Sequence, residues 1–140
     1  MKIAVLGGGN GSFAAAGDFA LAGHEVRLWR RNPKDVEAHR AQGGTITVID
    51  RSGRRDARLA MITSSIAEAI EAADLILCPA PAFAQPAIAN LAAPHLRDGQ
   101  VVFLPPGTFG SYIFARAAKD AGNRAEIGRA SCRERVSLNV

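Results

Sequence analysis

KIAVLGGGNGS, residues 2–12, is the stretch that decides the fold of this chain. Its first half is almost continuously apolar, which predicts a strand buried on both faces of a parallel sheet. Three glycines then break the strand, and the alanine-rich residues 13–22 predict a helix. A glycine-rich turn that directly follows a buried strand and opens a helix is the context in which G-x-G-x-x-G predicts a dinucleotide site.

Each position of this loop has a physical reason to contact a dinucleotide. Gly7 permits the tight turn off the strand, and Gly9 lets the backbone approach a pyrophosphate without a Cβ atom in the way. Backbone N–H groups of residues 10–13 are expected to face the phosphates, where the helix dipole also favours negative charge. Serine replaces the third motif glycine and is still small enough for close helix–strand packing. The candidate cofactor contacts here are Gly7, Gly9, Asn10, Gly11 and Ser12.

The end of the second predicted strand, residues 25–29, bears on the choice of cofactor. NAD sites usually carry an acid there that accepts hydrogen bonds from the ribose 2′-OH. This chain instead continues with Arg30 and Arg31 and has no acid directly after the strand. The two arginines suit the 2′-phosphate of NADP, or else they only solvate a surface loop. We therefore expect NADP, with NAD as the alternative.

The remaining chain alternates strands with helices. Residues 75–78 and 100–104 read as strands, and residues 33–41, 66–73, 83–96 and 109–121 read as helices. Residues 45–50 and 57–63 read as the arms of a β-hairpin inserted into this alternation. The fold class expected is α/β, a doubly wound parallel sheet of the Rossmann type with right-handed crossovers.

Two proline-containing loops follow predicted strands. Ligands of open α/β sheets bind outside the carboxyl ends of the strands, so both loops are expected to pass near the ribose and nicotinamide. In the first loop the candidate contacts are Pro79, Ala80 and Pro81; the second is residues 105–107. Simple termination of the strands explains the prolines equally well.

Composition excludes several other classes of function. The net charge of +4 is mild and no basic block is interleaved with aromatics, so neither nucleic acid nor a membrane is an expected partner. Cys78 and Cys132 are too few for a four-ligand zinc site. His24, His39 and His95 have no carboxylate at a fixed spacing. We predict no metal site and no catalytic residue, and we expect a cytoplasmic protein because no targeting segment is recognisable.

Residues 126–140 differ in character from the rest. The run EIGRASCRERV, residues 126–136, resembles the translation of a widely used sequencing adapter and has no hydrophobic period. We therefore divide the chain into a dinucleotide-binding domain, residues 1–125, and a non-native or disordered tail, residues 126–140. The tail is expected to contribute nothing to the fold or the function.

Several short runs resemble one family of oxidoreductases. VLGGGNG at residues 5–11, AGD at 16–18 and GHEV at 23–26 are similar to the start of opine dehydrogenases of the octopine/nopaline type. PAFA at residues 81–84 and APHLRDGQ at 93–100 extend the resemblance, which covers residues 1–125. Ketopantoate reductases and glycerol-3-phosphate dehydrogenases share the same plan and stay as alternatives.

The resemblance implies a reaction and a missing part. In opine dehydrogenases an amino acid and a 2-oxo acid form an imine, whose C=N bond NAD(P)H reduces to the CH–NH bond of a secondary amine. A helical C-terminal domain supplies the catalytic His and Asp in that family, and we expect this chain to be truncated before it. The chain alone is then an inactive cofactor-binding part of the enzyme. A stand-alone NAD(P)-binding regulatory module is the alternative from another class.

Overall fold

A computed structural model describes residues 1–105, 107 and 109–131. Its main sheet contains six parallel strands in the order β5-β2-β1-β6-β7-β8. The strands are β1 (Lys2–Leu6), β2 (Glu25–Trp29), β5 (Met61–Thr63), β6 (Leu75–Leu77), β7 (Val101–Leu104) and β8 (Gly128–Ser131). Numbered without the inserted hairpin, this is the order 3-2-1-4-5-6 of a doubly wound Rossmann sheet. The predicted fold class is confirmed.

Helices cover both faces of the sheet. They are α1 (Asn10–Leu21), α2 (Pro33–Ala41), α3 (Ile66–Ile70), α4 (Gln85–Ala92) and α5 (Gly110–Asp120). The central strand β1 shows why both faces are apolar, because alternate side chains enter opposite layers. Ile3 and Val5 pack into the layer that contains α1 and α2, whereas Ala4 and Leu6 pack into the layer that contains α4 and α5.

Local capping explains where two of the helices begin. The Asn32 side chain accepts a hydrogen bond from the Lys34 backbone N–H at 3.1 Å, and Pro33 occupies the first helical position of α2. The Ser65 hydroxyl accepts from the Glu68 N–H at 3.3 Å at the start of α3. Asparagine before proline, and serine three residues before glutamate, are typical helix N-terminal sequences. Helix α3 is shorter than predicted, however, and ends at residue 70.

The predicted hairpin is present, but its second arm differs. Strand β3 (Thr45–Asp50) pairs antiparallel with β4 (Gly53–Arg58), so the turn is two residues long. Residues 61–63, which the sequence assigned to this arm, instead form β5 parallel to β2. The prediction was wrong here because the short turn at Arg51 and Ser52 closes the hairpin early, with Gly53 at φ +105° directly after it. The next apolar residues are then free to extend the main sheet.

The expectation that residues 126–140 contribute nothing to the fold is wrong for residues 128–131. Strand β8 pairs parallel to β7, with Val101 opposite Gly128. The Glu126 N–H also donates to the Asp98 carboxylate at 2.7 Å. Parallel pairing uses backbone groups, which every residue except proline supplies, so a missing hydrophobic period does not prevent an edge strand. Residues 132–140 lie outside the described residues.

In the part of the chain that the structure describes, no helix is both long enough and apolar enough to cross a bilayer.

Candidate functional site

A cleft of about 280 Å³ opens at the carboxyl ends of β1, β2 and β6. The direction in which the chain adds strands reverses between β1 and β6, and such a switch point is where open α/β sheets bind ligands. The cleft is lined by Gly7, Gly8, Gly9, Ser12, Trp29, Arg30, Arg31, Asn32, Asp35, Pro79, Ala80, Pro81, Ala84 and Ile88. Eight predicted contact residues from three separate loops therefore meet in one place.

The turn that leaves β1 depends on glycine at residue 7. Gly7 has φ +147°, which side-chain-bearing residues rarely adopt. A Cβ atom there would also lie 2.5 Å from the Ser12 hydroxyl oxygen. The Gly7 N–H donates to the Trp29 carbonyl at 3.2 Å, which ties the turn to the end of β2. The first motif glycine is thus required by the protein itself.

Gly9 is different, because none of the described residues requires it to lack a side chain. Its φ of −86° suits any residue, and a Cβ atom placed on it would meet no described heavy atom within 4 Å. The space beside Gly9 is part of the cleft and lies next to the start of α1. Open space at this position fits a pyrophosphate, which needs close approach to the backbone.

Hydrogen bonds within the first turn of α1 leave fewer backbone N–H groups for a phosphate than the sequence suggested. The N–H groups of Ser12 and Phe13 both donate to the Gly9 carbonyl, at 3.0 and 3.2 Å. Asn10 and Gly11 stand at the first two helical positions, where an N–H has no acceptor within the helix. These two N–H groups, together with the helix dipole, can receive an anion. The donors are therefore fewer than the four that the sequence suggested.

The two predicted arginines occupy different environments. The Arg30 side chain is only 15% exposed, and its guanidinium pairs with the Asp35 carboxylate at 2.6 Å. It also donates to the Gly8 carbonyl at 3.2 Å and lies 4.9 Å from the centre of the Phe13 ring. Arg31 is exposed and makes no ion pair with any described residue. Among the described residues, only the Arg31 guanidinium is thus without an ion-pair partner.

Asp35 is the site residue that the sequence reasoning missed. Asp35 is an acid in the first turn of α2, where the helix dipole favours negative charge. A ribose acid is expected directly after β2, and Asp35 lies beyond those residues. In a parallel α/β fold the first turn of the next helix lies at the same edge as the strand end. That geometry is the signal that would have identified Asp35.

A buried side chain positions the loop that forms the third wall of the cleft. Pro79, Ala80 and Pro81 connect β6 to a short 3₁₀ turn that precedes α4. Gln85 is fully buried, and its amide donates to the Ala80 carbonyl at 3.1 Å. The Pro79 side chain lies 3.8 Å from where a Cβ on Gly11 would stand, so this loop and the glycine loop face each other.

Two side chains with reactive groups lie close to residues of the site. Cys78 is fully buried directly after β6, and burial raises its thiol pKa to about 11. Because the thiolate is the reactive form, this raised pKa makes Cys78 a poor nucleophile. The His39 ring packs 5.1 Å from Phe13. Among the described residues, His, Cys, Asp and Glu form no group of three or more suited to a metal ion.

Comparison with known families agrees with this geometry. The model of the family described as NADP oxidoreductase coenzyme F420-dependent matches residues 2–103. The chain belongs to this family. The matched range includes β1, the glycine loop, both arginines and the Pro79–Pro81 loop, which are the parts that build the cleft.

Two dehydrogenases are similar in sequence to this chain. Opine dehydrogenase of Arthrobacter sp. (strain 1C) is 34% identical over 124 residues, which is 85% of this chain and 33% of that enzyme. Glycerol-3-phosphate dehydrogenase [NAD(P)+] of Nitratidesulfovibrio vulgaris (strain DP4) is 35% identical over 102 residues, 73% of this chain and 30% of that enzyme. The chain spans about a third of the length of these relatives. The resemblance to opine dehydrogenases is confirmed.

Solved structures give the same result. Octopine dehydrogenase in complex with NADH and L-arginine superimposes with a TM-score of 0.75 and 26% identity, over 91% of this chain and 34% of that one. A PanE/ApbA family ketopantoate reductase from Ralstonia eutropha JMP134 shares the fold, with a TM-score of 0.72, 22% identity and coverage of 93% and 40%. This chain is therefore an NAD(P)-binding oxidoreductase domain related to these dehydrogenases and reductases.

Proposed function

We propose that this chain is the cofactor-binding domain of an opine dehydrogenase-like enzyme that acts on CH–NH bonds of N-(carboxyalkyl)amino acids. The observation that carries the proposal is the meeting of the glycine loop with the ends of β2 and β6 in one cleft. The 34% identity to an opine dehydrogenase over most of the chain supports this reaction class. NAD(P)H when bound supplies the hydride that reduces the imine.

The residues of the chain then bind and orient the dinucleotide. The pyrophosphate lies over Gly7 and Gly9, against Ser12 and the free N–H groups of Asn10 and Gly11. The ends of β2 and β6 hold the two halves of the dinucleotide on either side of the glycine loop. Arg30 and Arg31 lie at the adenosine end, and Pro79, Ala80 and Pro81 lie along the ribose and nicotinamide.

NADP is the cofactor that we propose, with NAD as the alternative. Arg31 is exposed at the rim of the cleft and can pair with a 2′-phosphate. Arg30 is less available for this pairing, because its guanidinium donates to the Asp35 carboxylate at the same rim, and NAD therefore stays the alternative. A titration with both reduced dinucleotides measures the balance between them.

The substrates belong to the longer protein in this proposal. An amino acid and a 2-oxo acid bind in a further domain that contributes the catalytic groups, and the 140-residue chain alone is inactive. The dinucleotide-binding domain that we propose is residues 1–125, to which residues 128–131 add only the edge strand β8, and we propose a cytoplasmic location and no nucleic-acid or membrane partner. Sequencing the source gene across the codons after Ala125 tests this division: a reading frame that continues into a helical domain supports it. A stop codon at that point would favour a stand-alone regulatory module.

A second enzyme class is also supported by a specific observation. The glycerol-3-phosphate dehydrogenase relative is 35% identical over 102 residues, about the same level as the opine dehydrogenase. The corresponding reaction reduces a ketone instead of an imine. Activity of the full-length gene product distinguishes the two, since only the opine reaction requires an amino acid together with the 2-oxo acid.

The chain provides its own probe for binding. Trp29 is the only tryptophan, is 3% exposed and lines the cleft. Reduced nicotinamide absorbs where tryptophan emits, so energy transfer from Trp29 should report NADPH or NADH bound to the chain. Saturable transfer is expected with both, and the same preparation should not oxidise either dinucleotide in the presence of an amino acid and a 2-oxo acid. Absence of saturable transfer with both would refute the proposal.

Gly9 offers a variant that separates binding from folding. Gly9→Val fills the open space beside the glycine loop, and its Cβ atom would meet no described heavy atom within 4 Å, so it should abolish energy transfer while the free energy of unfolding changes by about 1 kcal/mol, the scale of a helix N-cap change. Ala38→Val, on the exposed side of α2, is the matched control and should bind normally. Normal binding by Gly9→Val would show that the pyrophosphate does not lie at this loop.

A further inference from the structure

Arg30 and Asp35 form a fixed pair at the rim of the cleft. One guanidinium nitrogen of Arg30 lies 2.6 Å from Oδ2 of Asp35, and another lies 3.2 Å from the Gly8 carbonyl. The second oxygen, Oδ1 of Asp35, accepts from the Asn32 side-chain amide at 3.3 Å. Asp35 therefore has both oxygens engaged and holds Arg30 against the glycine loop from the opposite side.

The position of Arg30 is further defined by packing. A Cβ atom on Gly8 would lie 2.8 Å from the Arg30 guanidinium carbon, so this close approach requires glycine at residue 8. The guanidinium carbon also lies 4.9 Å from the Phe13 ring centre, within the range of a cation–π contact. Arg31, next in the chain, is exposed and unpaired among the described residues.

We propose that Asp35 sets the choice between NADP and NAD by holding Arg30 against the glycine loop, so that a 2′-phosphate meets Arg31 alone. This inference rests on the proposed function, because it assigns a specificity-determining role within the same cleft. Asp35 is a positioning residue in this role and acts through Arg30.

The physical argument concerns how many cations a 2′-phosphate can reach. The positive charge of a guanidinium bound to a carboxylate is partly neutralised by the adjacent negative charge, and fewer of its donors are free for a second anion. Two free arginines would hold a phosphate by charge-assisted hydrogen bonds from both, whereas one free arginine provides half of this. With Asp35 present, the chain is expected to prefer NADPH over NADH only modestly.

The first test changes the charge of Asp35 and keeps its shape. Asp35→Asn should release Arg30 and raise the preference for NADPH, measured as the ratio of the two Kd values from Trp29 energy transfer, by about tenfold, the effect of one additional charge-assisted hydrogen bond. Glu37→Gln removes the same charge from an exposed position of α2 outside the cleft and should change the ratio less than twofold. An unchanged ratio in Asp35→Asn would overturn the inference.

The second test asks whether Asp35 acts through Arg30. When Arg30→Met is already present, Asp35→Asn should no longer change the ratio. If the full increase persists there, Asp35 repels the phosphate directly and the positioning role is wrong. Conversely, Arg31→Met should weaken NADPH binding, and adding Asp35→Asn should restore part of it because Arg30 becomes available. No restoration would again count against the role.

The same titrations distinguish an error in the proposed function from an error in the role of Asp35. If the wild-type chain binds neither dinucleotide, the proposed function is wrong. If it binds both and the variants leave their Kd ratio unchanged, only the role of Asp35 is wrong. A thermal melt of each variant accompanies these titrations, because loss of the pair through misfolding would weaken NADH and NADPH equally and leave the ratio as it was.

Discussion

The Ser12 hydroxyl oxygen lies 2.5 Å from the point where a Cβ atom on Gly7 would stand. The turn that leaves β1 therefore packs directly against the buried first turn of α1, and residue 7 has no room for a side chain. Ser12 is 1% exposed, so it cannot turn outward to make room. The serine in place of the third motif glycine makes the first glycine more necessary.

Gly7→Ala should consequently destabilise the chain. We expect a loss of about 1–3 kcal/mol in the free energy of unfolding from the backbone conformation at φ +147° alone, with the contact to Ser12 adding to it. Urea unfolding measures the loss. Adding Ser12→Gly to Gly7→Ala should recover the contact part and leave the conformational part. A Gly7→Ala chain as stable as the wild type would contradict the geometry of this turn.

Gly17→Ala tests how closely the hairpin lies on α1. Replacing glycine by alanine inside a helix ordinarily stabilises a protein by about 1 kcal/mol. Here a Cβ atom would lie 2.6 Å from a methyl group of Val48 on β3, so we expect destabilisation instead. In the double variant with Val48→Ala the helix gain should reappear relative to Val48→Ala alone. Stabilisation by Gly17→Ala in the wild-type background would mean that the hairpin is not seated there.

Gln100 is a buried side chain whose removal should be costly. Its amide donates to the carbonyls of Ile70 and Ala73 at 2.7 and 3.0 Å, and its oxygen accepts from the Arg97 N–H at 2.9 Å. Gln100→Leu would bury these backbone groups without partners, at about 1–3 kcal/mol for each group that finds no water. Chemical denaturation measures the loss. Gln42→Leu, at an exposed position, is the control and should change stability by less than about 0.5 kcal/mol.

The raised pKa of Cys78 predicts a loss of stability at high pH. The thiol ionises near pH 9.0 when exposed but only near pH 11 in the folded chain, because burial disfavours the thiolate. Below pH 9 both states are protonated and the contribution is fully present. Between pH 9 and about 11 the unfolded state alone loses its proton, so unfolding becomes easier by up to about 2–3 kcal/mol.

Comparison with Cys78→Ala isolates this effect, because other groups titrate equally in both chains. The difference in unfolding free energy between the two should shrink as pH rises through this window. Both chains should also carry Cys132→Ser, so that Cys78 is the single thiol. In that background a disulfide reagent should react with Cys78 only after unfolding. Rapid reaction of the native chain at pH 8 would disprove the burial of Cys78.

The sequence determines the centre of the fold better than its periphery. The bounds of β1 and β2 are predicted to the residue, because the apolar run of β1 ends at Gly7 and the alternating residues of β2 end at Arg30. The glycine loop and the Pro79–Pro81 loop are likewise predicted to lie at one edge, since parallel strands end together. These features follow from local composition and from one rule of topology.

The features that were missed depend on contacts between distant or neighbouring elements. The apolar residues Met61–Thr63 suit an arm of the hairpin as well as a strand beside β2, whereas the arm that forms, β4, is polar and gives no strand signal of its own. Strand β8 is determined by the unpaired backbone edge of β7 and not by its own side chains. The role of Asp35 becomes visible only when the side chain of Arg30 is seen to turn toward α2.

In the sequence, the inserted hairpin lies between the two groups of residues that line the cleft. Gly7 and Arg30 precede its exposed tip at Arg51 and Ser52, whereas Pro79 and Pro81 follow it. A protease cut at the tip would yield two polypeptides, each with only part of the wall of the cleft. Dinucleotide affinity in such a pair would depend on reassociation of β1 with β6, and so would serve as a complementation signal for assembly of the whole sheet.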